Sequence, residues 1–314
     1  MYANAGAVLR GDIQQAVIQA GGADNGLIGG LVMPPLSVAT KAGQYLKIDI
    51  ATGHLMRVDS DAAKRNADGS YSRISRAFTQ DTYLCEDRGL EELIDDSNQA
   101  DLSRFLDTEA TIAKLLLRNI KLAHETRVAS AIFNTSNFNN TTVGTVWSNS
   151  AADPVTDLQD AISRLRKKGV DANTLVVNLD VYNALRKNAK VQSYIFGSVG
   201  TGDLRNVDAA LIAANLGIDR VLVASAAYDS SKKGQAASGS FIWGSNRAWI
   251  GNVQSGDFVA GGAGRTLTWT GDASDLFVVE TYRDEARRSG VVRVRQHTSE
   301  KVVDATAGEL LTIA

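Results

Sequence analysis

Residues 99–134 read QADLSRFLDTEATIAKLLLRNIKLAHETRVASAIFN, a run with neither glycine nor proline. Leu102, Leu106, Ala113, Leu116, Leu117, Ile120, Ala123, Val128, Ala131 and Ile132 recur mostly at helical spacings. Ser97 or Asn98 caps the start. At 1.5 Å per residue the helix is roughly 50 Å long. An ordinary globular helix is several times shorter, so this one is a spine that crosses a whole molecule. His124 sits on it beside Glu125 and Arg127, where a solvated or cross-chain polar contact is expected rather than a ligand role. The acidic pairs Glu91-Glu92 and Asp95-Asp96 precede the helix and favour its positive end.

Upstream, residues 1–43 are rich in small residues, with a short helix expected over Asp12–Ala20 and a loop over GGADNGLIGGLVMPP. Val8, Leu9, Ile13, Val17, Ile18, Leu27, Ile28, Leu31 and Val32 are too apolar for a solvated tail and want a surface on this chain or on another copy. They imply an arm that needs a partner surface, the alternative being a frayed terminus. Leu46, Ile48 and Ile50 alternate with Lys47 and Asp49 as a half-buried strand. Residues 51–82 then carry many charges and few large apolar groups, with a turn signal at Asn66-Ala67-Asp68-Gly69. This is either a long two-stranded hairpin or a mobile surface loop. A hairpin without a core is marginal in water, so it should lie against something else.

Downstream, Asn134–Ser150 is an asparagine-rich loop anchored by Trp147, and Asp153-Pro154 opens a new helix that Gly169 ends. Thr174–Asn178 and Arg220–Ala224 are buried strands, with short helices at 181–190 and 207–216 between them. Ser240–Gly244 and Arg247–Gly251 look like a further strand pair, and helices and strands alternate around one sheet over 153–252. Leu276–Tyr282 and Val291–Gln296 flank the charged turn RDEARRSG as a hairpin.

The chain has 314 residues, with Lys+Arg 33 against Asp+Glu 35 and net charge −2, which excludes a generally basic nucleic-acid coat. The length fits two packed subdomains or one elongated body. One cysteine, Cys85, excludes an internal disulfide framework and reads as a buried structural thiol. His54, His124 and His297 form no ligand motif. No segment has the roughly 18 uncharged apolar residues of a membrane span. The opening residues lack a basic leader followed by an apolar core, so synthesis in a cytoplasm is expected. Gly200-Thr-Gly202 and Gly261-Gly262-Ala-Gly264-Arg265 match phosphate-cradle motifs only loosely and are read as plain loops. The basic clusters Arg166-Lys167-Lys168 and Arg287-Arg288 are local and suit a solvated or interfacial face. No catalytic, cofactor-binding or metal-binding residue is expected.

The order of these elements, and the stretches YLCEDRGLEELIDD, NTLVVNLDVYNALRKNAKV, AALIAANLGIDRVLVASAAYDS, FIWGSNRAWIGNV and DLFVVETYRDEARRSGVVRVRQHTSEKVV, resemble the major capsid proteins of tailed bacteriophages, which share the Hong Kong 97 shell fold. The resemblance covers about residues 40–310 and is one of organisation and local texture. It implies an α+β chain with a long spine helix, an extended β-hairpin loop, an N-terminal arm and an α/β axial domain. Residues 1–43 are similar to the arm and 51–82 to the extended loop. Residues 44–50, 83–152 and 266–305 correspond to the peripheral domain with spine helix 99–134. Residues 153–265 correspond to the axial domain, which 306–314 are free to join.

What the resemblance implies for function is a major capsid protein. Its copies form hexamers and pentamers of an icosahedral phage head around double-stranded DNA, bound without sequence specificity and without a membrane. The implied partners are a portal protein and further copies of the chain. The glycine-rich opening points to scaffolding by a separate protein, and a decoration protein is left open. No inter-subunit crosslink through Lys64 is expected. The location is the virion, assembled in the host cytoplasm. Arg57, Lys64, Arg65, Arg73, Arg76, Arg283, Arg287 and Arg288 are the candidates for contacts between subunits. The alternatives are an encapsulin-like compartment shell protein with the same fold, and a soluble α/β enzyme with its site in 153–265.

Overall fold

A computed structural model describes residues 8–9, 26–48, 69, 78–97, 108–197, 206–232, 234–258, 261–271 and 276–313. Along these the chain forms β1 (Val8–Leu9), a single helical turn α1 (Gly29–Val32), β2 (Pro35–Val38), β3 (Ala42–Ile48), β4 (Phe78–Leu84) and β5 (Glu86–Asp95). Then come the long helix α2 (Thr108–Ile132), β6 (Asn139–Thr142), α3 (Pro154–Lys167), β7 (Thr174–Asn178), α4 (Leu179–Lys187), α5 (Ala189–Phe196) and α6 (Ala209–Leu216). The rest is strand: β8 (Arg220–Ala224), β9 (Ala227–Asp229), β10 (Gly239–Phe241), β11 (Arg247–Gly251), β12 (Gly264–Trp269), β13 (Val278–Asp284), β14 (Ser289–Val302) and β15 (Gly308–Thr312).

Two sheets carry the molecule. The first runs β1-β13-β14-β12-β2, with β5 also paired along β14. The second runs β6-β15-β11-β7-β8. The hairpin expected around RDEARRSG is the antiparallel pair β13–β14, with Val278 opposite Arg295 and Asp284 opposite Ser289. β7 is buried at every position, as a central strand covered on both faces must be.

The helices over the second sheet start where side chains replace the missing backbone acceptors. Asp153 accepts from the Thr156 amide, with Pro154 at the first helical position of α3. Asp208 accepts from Leu211 N at 2.8 Å to start α6, and Gly217, with φ of +69°, ends it in the left-handed conformation. Between them Asn178 caps α4, and Asn188 caps α5 by accepting from Lys190 and Val191. Asn188 also ends α4 with an extended backbone. The one helix expected over 181–190 is therefore two, turned at Asn188.

α2 ties the sheets together. Ile112, Ala113, Leu116, Leu117 and Ile120 pack on Ile94, Val279, Val292 and Val294 of the first sheet. Val128, Ala129, Ile132 and Phe133, at and just beyond its other end, pack with Val176, Trp249 and Leu310 of the second. Its 25 described residues span about 37 Å. Buried leucines and isoleucines such as Leu117 and Ile120 each contribute roughly 1.5–3 kcal/mol. Residues 99–107 of the expected spine lie outside the described residues, as do Asp12–Ala20 and Gly200–Gly202.

β3 and β4 pair antiparallel from Ala42 opposite Leu84 to Ile48 opposite Phe78, and join no other strand among the described residues. Tyr45, Tyr83 and Cys85 anchor this two-stranded stem beside Leu267. Of the expected hairpin 51–82, residues 51–68 and 70–77 lie outside the described residues.

Three expectations need correction. β10 pairs with β9, and β11 pairs with β7 and β15, so Ser240–Gly244 and Arg247–Gly251 are not partners. Bulky Trp243 turns inward beneath Phe133 at 4.9 Å between β10 and β11, which separates them. The Asn134–Ser150 segment is not all loop, because Asn139–Thr142 adds parallel to β15. Glu91 and Glu92 do not lie at a helix end, whereas Asp95 directly precedes the helical residues Asp96 and Ser97 and accepts from Ser97 N at 2.8 Å. Glu91, Glu92 and Asp95 lie on β5, where β14 supplies the ladder partner from Thr298 to Ser289.

Candidate functional site

Three side chains on about one turn of α2 meet three distant parts of the chain. Glu125 is buried, at 1% exposure. Its Oε1 accepts from the backbone N–H of Ile28 at 3.0 Å and from Trp243 Nε1 at 2.6 Å. Its Oε2 accepts from Gly29 N at 2.7 Å. The carboxylate thereby caps α1, whose own capping residue has no side-chain hydrogen bond. Burial pushes the Glu125 carboxyl above the usual range, and the bonds from Ile28, Trp243 and Gly29 draw it part of the way back.

His124, also buried, has Nε2 at 3.2 Å from Thr266 Oγ1. The Thr266 hydroxyl donates to the Met33 carbonyl at 2.9 Å, so Nε2 carries the proton and donates to Thr266. Burial pushes the His124 imidazole down to about 4, against the upward pull of Glu300 and with a smaller downward push from Arg127. Arg127 forms two hydrogen bonds of 3.0 Å to the Glu300 carboxylate. Burial raises the Glu300 carboxyl, but the bonds and charge of Arg127, with His124 and Thr298, outweigh it and leave it below the usual range. The solvated role expected for His124 is thus corrected: it is an internal linker between α2 and the first sheet.

The half-buried face of the first sheet, opposite α2, carries a ladder of opposite charges. Arg295 donates to Glu280 at 2.7 and 3.1 Å, and Arg293 lies 3.2 Å from Glu91 and 4.7 Å above the ring of Tyr282. Glu91 thereby serves strand pairing, not a helix end. Arg283 forms two 2.6 Å bonds to Asp96, which holds its guanidinium above and the carboxyl below their ordinary values. Arg287 is exposed and 3.7 Å from Asp284. Arg288, also exposed, takes a left-handed backbone at φ of +49°, and its carbonyl accepts from Asp96 N. These three arginines gather at the β13–β14 turn. Arg57, Lys64, Arg65, Arg73 and Arg76 lie outside the described residues.

The Gly261–Arg265 motif cradles a cation, not an anion. Arg265 is fully buried and donates to the carbonyls of Gly256, Gly261 and Gly264. Carbonyl oxygens, not N–H groups, point at the centre, and the arginine fills it. Cys85 is buried with Sγ at 3.7 Å from the Leu267 carbonyl, and burial raises the thiol. Among the described residues, no group of three or more His, Cys, Asp or Glu could hold a metal ion, and no helix is long and apolar enough to cross a membrane.

The surface also leaves apolar groups in water. Leu84, Leu90 and Leu93 are 54%, 42% and 43% exposed along β4 and β5, and Leu115 is 55% exposed on α2. β5 pairs on one edge only among the described residues, and its sequence is acidic: Glu86, Asp87, Glu91, Glu92 and Asp95. Sequence reasoning missed Glu125, Arg127, Glu300 and Arg265 as linkers. The available signal for the first two was a histidine followed directly by a glutamate and, two residues on, an arginine, within a run otherwise apolar enough to be buried.

No family model matches this sequence, and no curated protein sequence matches it. Solved structures do. A phage-related protein from Bordetella bronchiseptica superposes with a TM-score of 0.71 at 20% identity, over 98% of each chain. The capsid of cyanophage P-SCSP1u matches at 0.57 and 11% identity, over 90% of this chain and 86% of its own. A virus-like particle from Pyrococcus furiosus matches at 0.57 and 13% identity, over 96% and 98%. At these identities the likeness is one of fold. The chain has the α+β fold of phage capsid proteins.

Proposed function

We propose that this chain is a major capsid protein, a structural subunit whose copies assemble into hexamers and pentamers of an icosahedral phage head around double-stranded DNA. The observation that carries the reading is the end-to-end fold likeness: 98% of the chain superposes on a phage-related protein and 90% on a cyanophage capsid protein. The surface supports it. The β3–β4 stem, anchored at its base beside Leu267, pairs with no other strand among the described residues, and β5 offers an acidic edge with half-exposed leucines. Such features gain burial when copies surround them.

In this reading the first sheet and α2 form the peripheral domain. The second sheet and α3–α6 form the axial domain, and β15 and β6 bring 308–312 and 139–142 into that sheet. Of residues 1–43, expected as the arm, Ile28, Val32 and Met33 are buried in this chain's own core and β2 pairs with β12, so those residues belong to the body. Residues 51–82 act as the extended loop. Arg57, Lys64, Arg65, Arg73, Arg76, Arg287 and Arg288 make charge pairs to neighbouring copies. Arg283 does so only by sharing or leaving Asp96. The partners are further copies, a portal protein and a separate scaffolding protein. The role is structural, and the place is the virion.

Electron microscopy of the purified, concentrated protein tests the reading. Closed shells, or rings of five and six, are the expected result. A uniform small monomer at every concentration sinks it. Reversing Arg73 and Arg76 to glutamate together should stop particle formation and leave soluble, folded subunits.

The match to the Pyrococcus furiosus virus-like particle supports a second reading, a compartment shell of encapsulin type that holds proteins. Nuclease-protected DNA inside particles purified from the native source favours the phage head. Co-purified enzyme cargo without DNA favours the compartment.

A further inference from the structure

On the helical side of the second sheet, α3, α5 and α6 leave an open groove of about 630 Å3. Ile162 and Leu216 line it, above a buried cluster that includes Leu158, Leu185 and Ile212. Arg166 and Lys167, from the last turn of α3, stand on its wall. A second hollow of about 400 Å3, lined in part by Lys190, shares Gln159 and Tyr194 with the first. The two form one track beside α3.

Tyr194 occupies the middle of this track and is 46% exposed. Its hydroxyl accepts from Gln159 Nε2 at 3.0 Å and donates to the Asn215 carbonyl at 3.3 Å. The ring on α5 is therefore tied to both α3 and α6, and its orientation is set before anything binds. A half-exposed aromatic held in this way loses little side-chain entropy on binding, which suits it to be an anchor.

Charge indicates the occupant. The lining carries Arg166, Lys167 and Lys190 against one carboxylate among the described residues, Asp153. Asp153 is already engaged with Lys190 at 3.3 Å and with the start of α3. Arg166 lies 3.5 Å from Asp171, but both groups are largely exposed, and a contact of that kind is readily exchanged for another anion. The walls are helices whose backbone hydrogen bonds are spent internally, so no strand edge is offered to an extended chain. A partly apolar floor beside a cationic wall suits a helix with one apolar and one acidic face better than a nucleic-acid backbone.

We propose that this track binds an acidic amphipathic helix of a second protein, its apolar face against Tyr194, Ile162 and Leu216 and its carboxylates toward Arg166 and Lys167. The site lies wholly within one chain, so it stands whether or not the shell reading does.

The test uses the full-length protein and three fluorescent probes. One is a short helical peptide with leucines on one face and glutamates on the other. The second is the same peptide with lysines for glutamates. The third is a single-stranded oligodeoxythymidine. The acidic peptide should bind roughly tenfold or more tighter than the lysine peptide, a gap of one affinity decade. Reversal of both Arg166→Glu and Lys167→Glu should weaken it by about as much, as should Tyr194→Ala. Lys114→Glu, an exposed change on α2 away from the track, should leave binding unchanged. Unfolding midpoints check that each variant folds, and the exposed Arg166 and Lys167 changes keep the test decisive if Tyr194→Ala does not. Equal binding of both peptides, absence of binding, indifference to the double reversal, or tighter binding of the oligonucleotide than of the acidic peptide overturns the proposal.

Discussion

Gly29 N donates to Glu125 Oε2 at 2.7 Å, across 96 residues of sequence. A Cβ placed on Gly29 would come within 2.7 Å of the same oxygen and 3.4 Å of Val128 Cβ. The neighbouring Gly30 has nothing within 4 Å of such a Cβ. The two glycines of α1 therefore separate close approach from propensity. Gly29→Ala should destabilise the protein by roughly 1–3 kcal/mol through overpacking. Gly30→Ala should be neutral, or stabilise by up to about 1 kcal/mol by restricting the unfolded chain. Urea midpoints of the two variants check this, and equal effects would show that Glu125 does not hold α1.

Glu125→Leu removes the acceptor of three buried donors, from Ile28, Gly29 and Trp243. Each unpaired donor costs about 1–3 kcal/mol, but relaxation of α1 toward water will recover part. The expected net loss is roughly 3–5 kcal/mol. Glu125→Gln keeps one carbonyl oxygen and should lose about half as much. Trp243 fluorescence should shift to the red in the leucine variant, because its indole N–H then seeks water.

The His124 imidazole is neutral in the folded protein at neutral pH, with its proton affinity lowered from 6.5 to about 4. The unfolded chain binds the proton more readily between these values, so His124 contributes stability that is complete above about pH 6.5 and lost as the pH falls toward 4. Glu300, lowered by Arg127, acts in the same direction at more acidic pH. Glu125, raised by burial, acts oppositely: its contribution is greatest at low pH and is lost as the pH rises through its raised value. The His124 effect amounts to about 3 kcal/mol at most. His124→Gln can still donate to Thr266 but does not titrate. Its stability, followed by urea denaturation across that window, should depend less on pH than that of the parent. An unchanged slope sinks the assignment.

Local chemistry made much of the fold legible. Asp153-Pro154 marks the start of α3 with a cap and a proline, and Gly217 marks the end of α6. Leu116, Leu117 and Ile120 betray the buried face of α2 through spacing alone. β5 was not legible, because Leu90, Leu93 and Ile94 are spaced for a helix as readily as for a strand. What makes it a strand is β14, some 200 positions away, which offers a ladder from Ser289 to Thr298. The polar junction was hidden for the same reason. Glu125 and Glu300 look like surface charges until Trp243 and Arg127 are brought against them. Asn188 read as a late helical residue, yet its side chain caps the next helix more favourably than it continues the last one.

Gln296 supplies a test in the stabilising direction. It lies on β14 on the face that carries Val292 and Val294 toward α2, and is 1% exposed. Neither its amide nitrogen nor its amide oxygen meets a hydrogen-bond partner among the described residues. A buried amide in that condition costs its full desolvation, about 1–3 kcal/mol. Methionine has nearly the same length and shape and no group to desolvate. Gln296→Met should raise stability by about 1–2 kcal/mol, seen as a higher urea midpoint at unchanged slope. A lower midpoint would mean that the amide is hydrogen-bonded in the folded protein, and that the contact between α2 and the first sheet is more polar than the surrounding valines indicate.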